Sequence, residues 1–161
     1  MNKPIELNIG IAQSDCKEVG ALLNLLLADE YVLYTKTRNY HWNVVGPNFN
    51  ELHRFLEQQY GELDESIDAI AERTRSLGAK SVGTLADFLK LARLREHSEE
   101  NLDARQMLEN LLCDHETIIR NLRKDVEVCT QKLNDVGTAD FLTGLMESHE
   151  KMAWMLRAFL Q

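Results

Sequence analysis

The sequence predicts an all-α fold: a bundle of four long helices, with a short extra helix in the crossover between the second and third long helices. Three observations predict it. Only two prolines occur, Pro4 and Pro47, so long helices can run without interruption. Apolar residues recur at three- and four-residue spacing, and no segment alternates in the way a half-buried strand does. Helix-breaking residues gather at the few places where four long helices would need connections. The chain of 161 residues is long enough for one domain with a real core. We read residues 1–161 as that single domain, with 1–13 as a short tail.

Each element has its own signals. Ser14 or Asp15 can cap the first helix, with Glu18 placed to support it. Val19, Leu22, Leu23, Leu26, Leu27 and Leu33 carry its apolar face, and it runs to about Trp42. Gly46-Pro47-Asn48 breaks the chain. The second helix spans 50–77, with Gly78 suited to the left-handed position after its end. Thr84 can cap the short helix LADFLKLARL, and the polar stretch 95–102 (REHSEENL) reads as loop. Asn101 or Asp103 opens the third long helix, which reaches about Asn134. Gly137 ends that segment, Thr138 caps the last helix, and Asp140 suits its first turn. Phe141, Leu142, Leu145, Met152, Met155 and Leu156 are the core candidates there. The connection between the second and third long helices, about 25 residues, is long enough to cross the bundle. Those two helices can therefore run parallel.

Composition excludes several function classes. Lys plus Arg is 18 and Asp plus Glu is 26, for a net charge of −8. A domain this acidic opposes phosphate contacts and favours cations. Lys3 is the sole base in the first 13 residues, so no basic arm is predicted. Cys16, Cys113 and Cys129 are odd in number and lack CxxC spacing, which argues against a disulfide framework or zinc knuckle and fits a reducing cytoplasm. We expect Cys113 and Cys129 to be buried thiols of the third long helix. No signal peptide is evident, and the longest mostly apolar stretch, 21–28, is too short for a bilayer.

The chemistry concentrates on the second long helix. His53 and Glu57 form one i, i+4 pair, and Asp68 and Glu72 form another. With His53 at zero on a helical wheel, Glu57 falls near ~40°, Asp68 near ~60° and Glu72 near ~100°. Leu56, Leu63, Ile67 and Ile70 cluster between roughly 260° and 320°, so the His/acid stripe avoids the face this helix buries. Along the axis, Glu57 and Asp68 stand about 16 Å apart, whereas a metal holds its ligands at about 2.0–2.2 Å. One helix cannot close both pairs around one ion. Two copies lying antiparallel across a two-fold axis can, and symmetry then makes two such sites. His41, at the end of the first helix, can add an imidazole.

A paired-metal site inside a single bundle would need Glu-x-x-His motifs. The residues three before each histidine are Arg38, Asn50, Leu94, Leu112 and Met146, so that motif is absent. His97, His115 and His149 are read as surface or locally paired residues.

The segment HWNVVGPNFNELHRFLEQQYGELDESIDAIAERTRSLG resembles the signature of the Dps proteins, the ferritin-like miniferritins named as DNA-binding proteins from starved cells. The match includes His41-Trp42-Asn43, Gly46, Asn48-Phe49, Leu52-His53, and Asp68 followed by Ala71-Glu72-Arg73. The ending TADFLTGLMESHEKMAWMLRAFL looks like the last helix of that family. The resemblance implies a hollow shell of twelve subunits that oxidises Fe2+, preferably with hydrogen peroxide, and stores ferric mineral. It thereby protects against oxidative damage. It implies a di-iron or mono-iron ferroxidase site at the two-fold interface. His41, His53 and Glu57 would come from one subunit, and Asp68 and Glu72 from the other. Many relatives carry Asp where this chain has Glu57. Trp42 takes the place of an oxidisable aromatic beside the site. Asp135 and Asp140 are the candidates for acidic three-fold pores that admit iron. The alternative reading is a nucleoid-protecting DNA-binding protein with secondary iron chemistry, and the missing basic arm argues against it. The expected location is the cytoplasm, with no membrane partner.

Overall fold

Capping chemistry decides where each helix of the computed structural model begins and ends. The structure describes residues 7–97 and 101–161. Lys3 and the middle of the predicted 95–102 loop lie outside the described residues. The helices are α1 (Gln13–Asn43), α2 (Phe49–Ser76), α3 (Leu85–Leu91), α4 (Ala104–Gln131) and α5 (Val136–Leu160). This is the predicted all-α arrangement, with α3 as the short helix of the crossover. Among the described residues no helix is long and apolar enough to cross a membrane.

The ends differ from the sequence reading in instructive ways. Neither Ser14 nor Asp15 caps α1: the helix starts at Gln13, and Ser14 Oγ donates to Asp15 Oδ1 at 3.0 Å instead. Helix α3 stops at Leu91, three residues short of the expected run. Asp29 of α1 takes the next amides for itself, with Arg93 N and Leu94 N donating to its Oδ1 at 2.6 and 3.3 Å. Asp103 opens α4 through a reciprocal capping box with Gln106. Asp135, not Thr138, caps α5: its Oδ1 accepts from Thr138 N at 2.8 Å. Gly137 therefore sits inside α5 rather than ending the segment before it, and Asp140 falls in the second turn.

Four long helices form the bundle around one apolar centre. Leu23, Leu26, Leu27 and Leu33 of α1 meet Leu56, Leu63 and Ile70 of α2, Leu111, Ile118 and Leu122 of α4, and Leu142 and Met152 of α5, all fully enclosed. Each contributes about 1.5–3 kcal/mol relative to an exposed position. Phe141 and Met155 are only half-buried. Cys129 is enclosed as expected, but Cys113 is exposed, since it lies on the same outward strip of α4 as Thr117 and Arg120.

Directions follow from the pairings. His41 meets His53 across the α1–α2 turn. Lys36 meets Asp114 and Tyr40 meets Asn110, so α4 is antiparallel to α1 and hence parallel to α2. The long crossover allows this, and α1 clamps its far end. Lys36 Nζ donates to Arg95 O at 2.6 Å and to Asp114 at 2.5 Å, while Arg93 Nε donates to Asp29 at 2.7 Å. Gly46, at φ +127°, makes the α1–α2 turn in a backbone region that side chains rarely adopt. Gly20 lets α1 pass close to the turn after α2, because a Cβ there would meet Ala79 Cβ at 2.5 Å.

Candidate metal centre

Two imidazoles, brought together by the α1–α2 turn, form the centre of the site. His41 lies in the last turn of α1 and His53 in the first turns of α2. Their rings stack at 3.7 Å between centres, tilted by 20°. The hydrogen bonds are reciprocal: His41 Nδ1 meets the His53 carbonyl at 2.7 Å, and His53 Nδ1 meets the His41 carbonyl at 2.9 Å. A carbonyl can only accept, so both Nδ1 atoms carry the proton. In the neutral form, each ring then presents an unprotonated Nε2. This is the arrangement in which backbone carbonyls orient metal-binding imidazoles and set their tautomer. His41 is buried and His53 half-buried. Phe49 stacks on His53 at 5.1 Å, and the edge of Tyr60 meets His41 at 5.2 Å.

Glu57 follows His53 by one helical turn and is exposed. Asp68 and Glu72 are exposed farther along the same unbroken helix. The fixed rise of that helix keeps the two halves of the stripe about 16 Å apart within one chain. Among the described residues of one chain, no group of three or more His, Cys, Asp or Glu stands ready to hold a metal. The structure thus unites His41 with His53, places Glu57 one helical turn beyond His53, and leaves Asp68 and Glu72 apart.

Trp42 is 63% exposed, with the guanidinium carbon of Arg38 5.1 Å from its ring centre. The same guanidinium lies 5.1 Å from Tyr60 and 5.5 Å from Tyr34, and Arg38 Nη1 donates to Tyr34 Oη at 2.6 Å. This aromatic cage was missed in the sequence. Its signal was there: Tyr34, Arg38 and Trp42 repeat every four residues and so share one face of α1.

The two nominated pore residues part company. Asp140 is exposed. Asp135 is 1% exposed, and its carboxylate is engaged by Thr138 N, Thr138 Oγ1 and Arg73 Nη2, the last at 3.0 Å.

His115 and His149 are not surface residues, and their partners are not local. Both are fully buried in the bundle, with Nδ1 facing Nδ1 at 2.9 Å, and His149 Nε2 meets Glu30 Oε1 at 2.7 Å. Burial, reinforced by His149, holds His115 well below the usual imidazole range. Glu30 Oε2 and His115 Nε2 have no protein partner.

Comparison with known proteins adds a lineage to this geometry. The ferritin-like domain family matches residues 20–161. A low temperature-induced protein of Nostoc sp., itself uncharacterized, is 51% identical over 155 residues, spanning 96% of this chain and 87% of the relative. DNA protection during starvation protein 2 of Bacillus anthracis is 40% identical across 89% of this chain and 97% of its own. The crystal structure of the Vibrio cholerae DPS protein, described as a ferritin-like diiron-carboxylate protein, superposes with a TM-score of 0.91 at 32% identity over 100% of both chains.

Proposed function

This chain belongs to the Dps family of ferritin-like proteins, and from that premise we propose that it is a ferroxidase and iron store. It oxidises Fe2+ with hydrogen peroxide and keeps the ferric product inside a dodecameric shell. The observation that carries this reading is the braced pair His41 and His53, with the exposed Glu57 one helical turn beyond His53.

Iron is the substrate here. His41, His53 and Glu57 of one subunit bind it from one side of a two-fold seam. Asp68 and Glu72 of a second copy bind it from the other. Imidazole suits Fe2+, and the carboxylates suit the harder Fe3+ product, so the mixed set favours the oxidation it hosts. Two Fe2+ ions at one seam supply both electrons that peroxide needs and so avoid releasing hydroxyl radical. Asp140, exposed where Asp135 is not, is the residue we assign to the iron inlet. Twelve chains each carrying −8 repel phosphate, so DNA binding is weak at physiological salt.

The test mixes iron-free protein with Fe2+ and peroxide and follows ferric absorbance against buffer. The parent protein is expected to oxidise iron much faster than buffer, and H53A to lose most of that advantage while keeping its assembly on a sizing column. Equal rates with and without the parent protein would remove the ferroxidase reading.

A further inference from the structure

Three of the long helices meet at a buried polar cluster that the iron chemistry leaves unused. Glu30 of α1, His115 of α4 and His149 of α5 are fully enclosed. His149 Nε2 meets Glu30 Oε1 at 2.7 Å, and the Nδ1 atoms of the two imidazoles face each other at 2.9 Å. Leu26 and Leu33 flank Glu30 at helical spacing, Leu111 and Ile118 flank His115, and Leu145 and Met152 flank His149. Among the described residues, the other buried acids and bases have partners elsewhere: Asp29 with Arg93, Lys36 with Asp114, Asp135 with Arg73, and His41 with His53. Glu150 and Glu116, next along α5 and α4, pair at the surface with Arg123 and Arg157. The buried residues of α2 include no acid or base, and α3 buries only Phe88.

A hydrogen bond between two facing nitrogens holds one proton, so one Nδ1 must be bare. With Glu30 ionised, one proton added to the neutral pair balances its charge and keeps that bond. A second added proton does neither. It places N–H against N–H at the Nδ1 contact and sets two imidazoliums against one carboxylate. We propose that Glu30, His149 and His115 form an acid-release latch on α5. The latch holds α5 against α1 and α4 until the imidazole pair takes its second added proton, and then lets the helix go.

The surroundings leave the doubly charged pair no other outlet. The apolar enclosure makes an uncompensated charge there costly. His115 Nε2, protonated in that state, has no protein group to accept from it. Burial, reinforced by His149, opposes a charge on His115 and keeps the latch shut at neutral pH. At the surface, α5 is tied to α4 by the Arg123–Glu150 and Arg157–Glu116 pairs. Both are exposed and screened by solvent, so they do not hold α5 in place once the cluster opens.

The test is hydrogen–deuterium exchange of the iron-free protein, read peptide by peptide from about pH 7 to about pH 4.5 and corrected for the intrinsic pH dependence of amide exchange. Peptides of α5 are expected to lose protection before those of α2, with opening rising about tenfold per pH unit for each proton taken up. E30Q removes the balancing charge and should move the release of α5 toward neutral pH. H115L removes the site of the second proton and should leave α5 protection flat across the same range. The crossover peptides held by Asp29 and Asp114 serve as an internal reference and should respond alike in the parent and both variants. A parent in which α5 and α2 lose protection together, or an E30Q protein whose α5 opens at the same pH as the parent, would overturn the latch. Protection lost by the same factor at every pH in both variants, as a purely structural cluster predicts, would overturn it as well.

Discussion

Replacing Asp135 by alanine separates a structural carboxylate from a functional one. Its Oδ1 caps α5 through Thr138 N, and its Oδ2 accepts from the Thr138 hydroxyl at 2.5 Å. Losing the cap costs about 1 kcal/mol. Losing a buried hydrogen bond to a charged acceptor adds about 1.5 kcal/mol. The Arg73 pair adds little, about 0.5 kcal/mol, because the Arg73 side chain is 28% exposed and screened by solvent. D135A should therefore lose about 3 kcal/mol per subunit, which for a chain of this size lowers Tm by roughly 6–12 °C. D140N, altering an exposed side chain, should stay within about 0.5 kcal/mol of the parent. The assay is thermal unfolding by circular dichroism on iron-free protein at matched subunit concentration, since the proposed assembly would make Tm depend on concentration. If D135A melts with the parent, the cap and its buried bond do not hold the start of α5. On the inlet assignment, D140N keeps its Tm but takes up iron more slowly. Unchanged uptake in D140N would end that assignment.

Two further predictions concern the interior. His115 is held below the ordinary imidazole range in the folded chain, so between that depressed value and about pH 6.5 the unfolded chain binds more protons. Stability therefore falls as pH drops below about 6.5, by at most about 1.4 kcal/mol per pH unit from this group. H115L should flatten the curve of urea midpoint against pH in that window, and identical slopes in variant and parent would refute the assignment. At Gly20, alanine gains up to about 1 kcal/mol of helix propensity, yet its Cβ would meet Ala79 Cβ at 2.5 Å. Backbone must shift at a cost of about 1–3 kcal/mol, so G20A is expected to lower the urea midpoint. A G20A protein more stable than the parent would show that the turn at Ala79 yields freely.

What the sequence made legible was whatever a fixed helical period decides. The stripe of His53, Glu57, Asp68 and Glu72, and the gap between its halves, follow from 100° and 1.5 Å per residue once α2 is known to be unbroken. The exposure of Cys113 was equally within reach, because it stands about 200° around the helix from the core residue Leu111. What depended on distant partners was not legible. Asp135 caps α5 while bound by Arg73, 62 positions earlier. Leu94 leaves α3 because Asp29, 65 positions earlier, takes its amide. His149 is buried because Glu30 and His115, on two other helices, supply its polar contacts. Nothing local marks any of these residues as enclosed.

The placement of polar groups on α1 explains how one helix can serve both the core and the site. Asp29, Glu30, Lys36, Thr37 and His41 are all buried, an unusual density of polar side chains for a central helix. Each but His41 is spent on structure: Asp29 and Lys36 hold the crossover, Glu30 holds His149, and Thr37 donates back to the Leu33 carbonyl. At the last turn the helix presents His41, whose Nδ1 is used by the brace while the other ring nitrogen is left for a ligand. The His41–His53 brace uses backbone carbonyls of one hairpin alone, so the imidazole half of the proposed site is complete in each subunit before any assembly. In the proposed seam, the acidic half would arrive with the partner. Metal binding and subunit pairing are then linked, because an ion held from both sides stabilises the pair by the same factor that pairing adds to its own affinity.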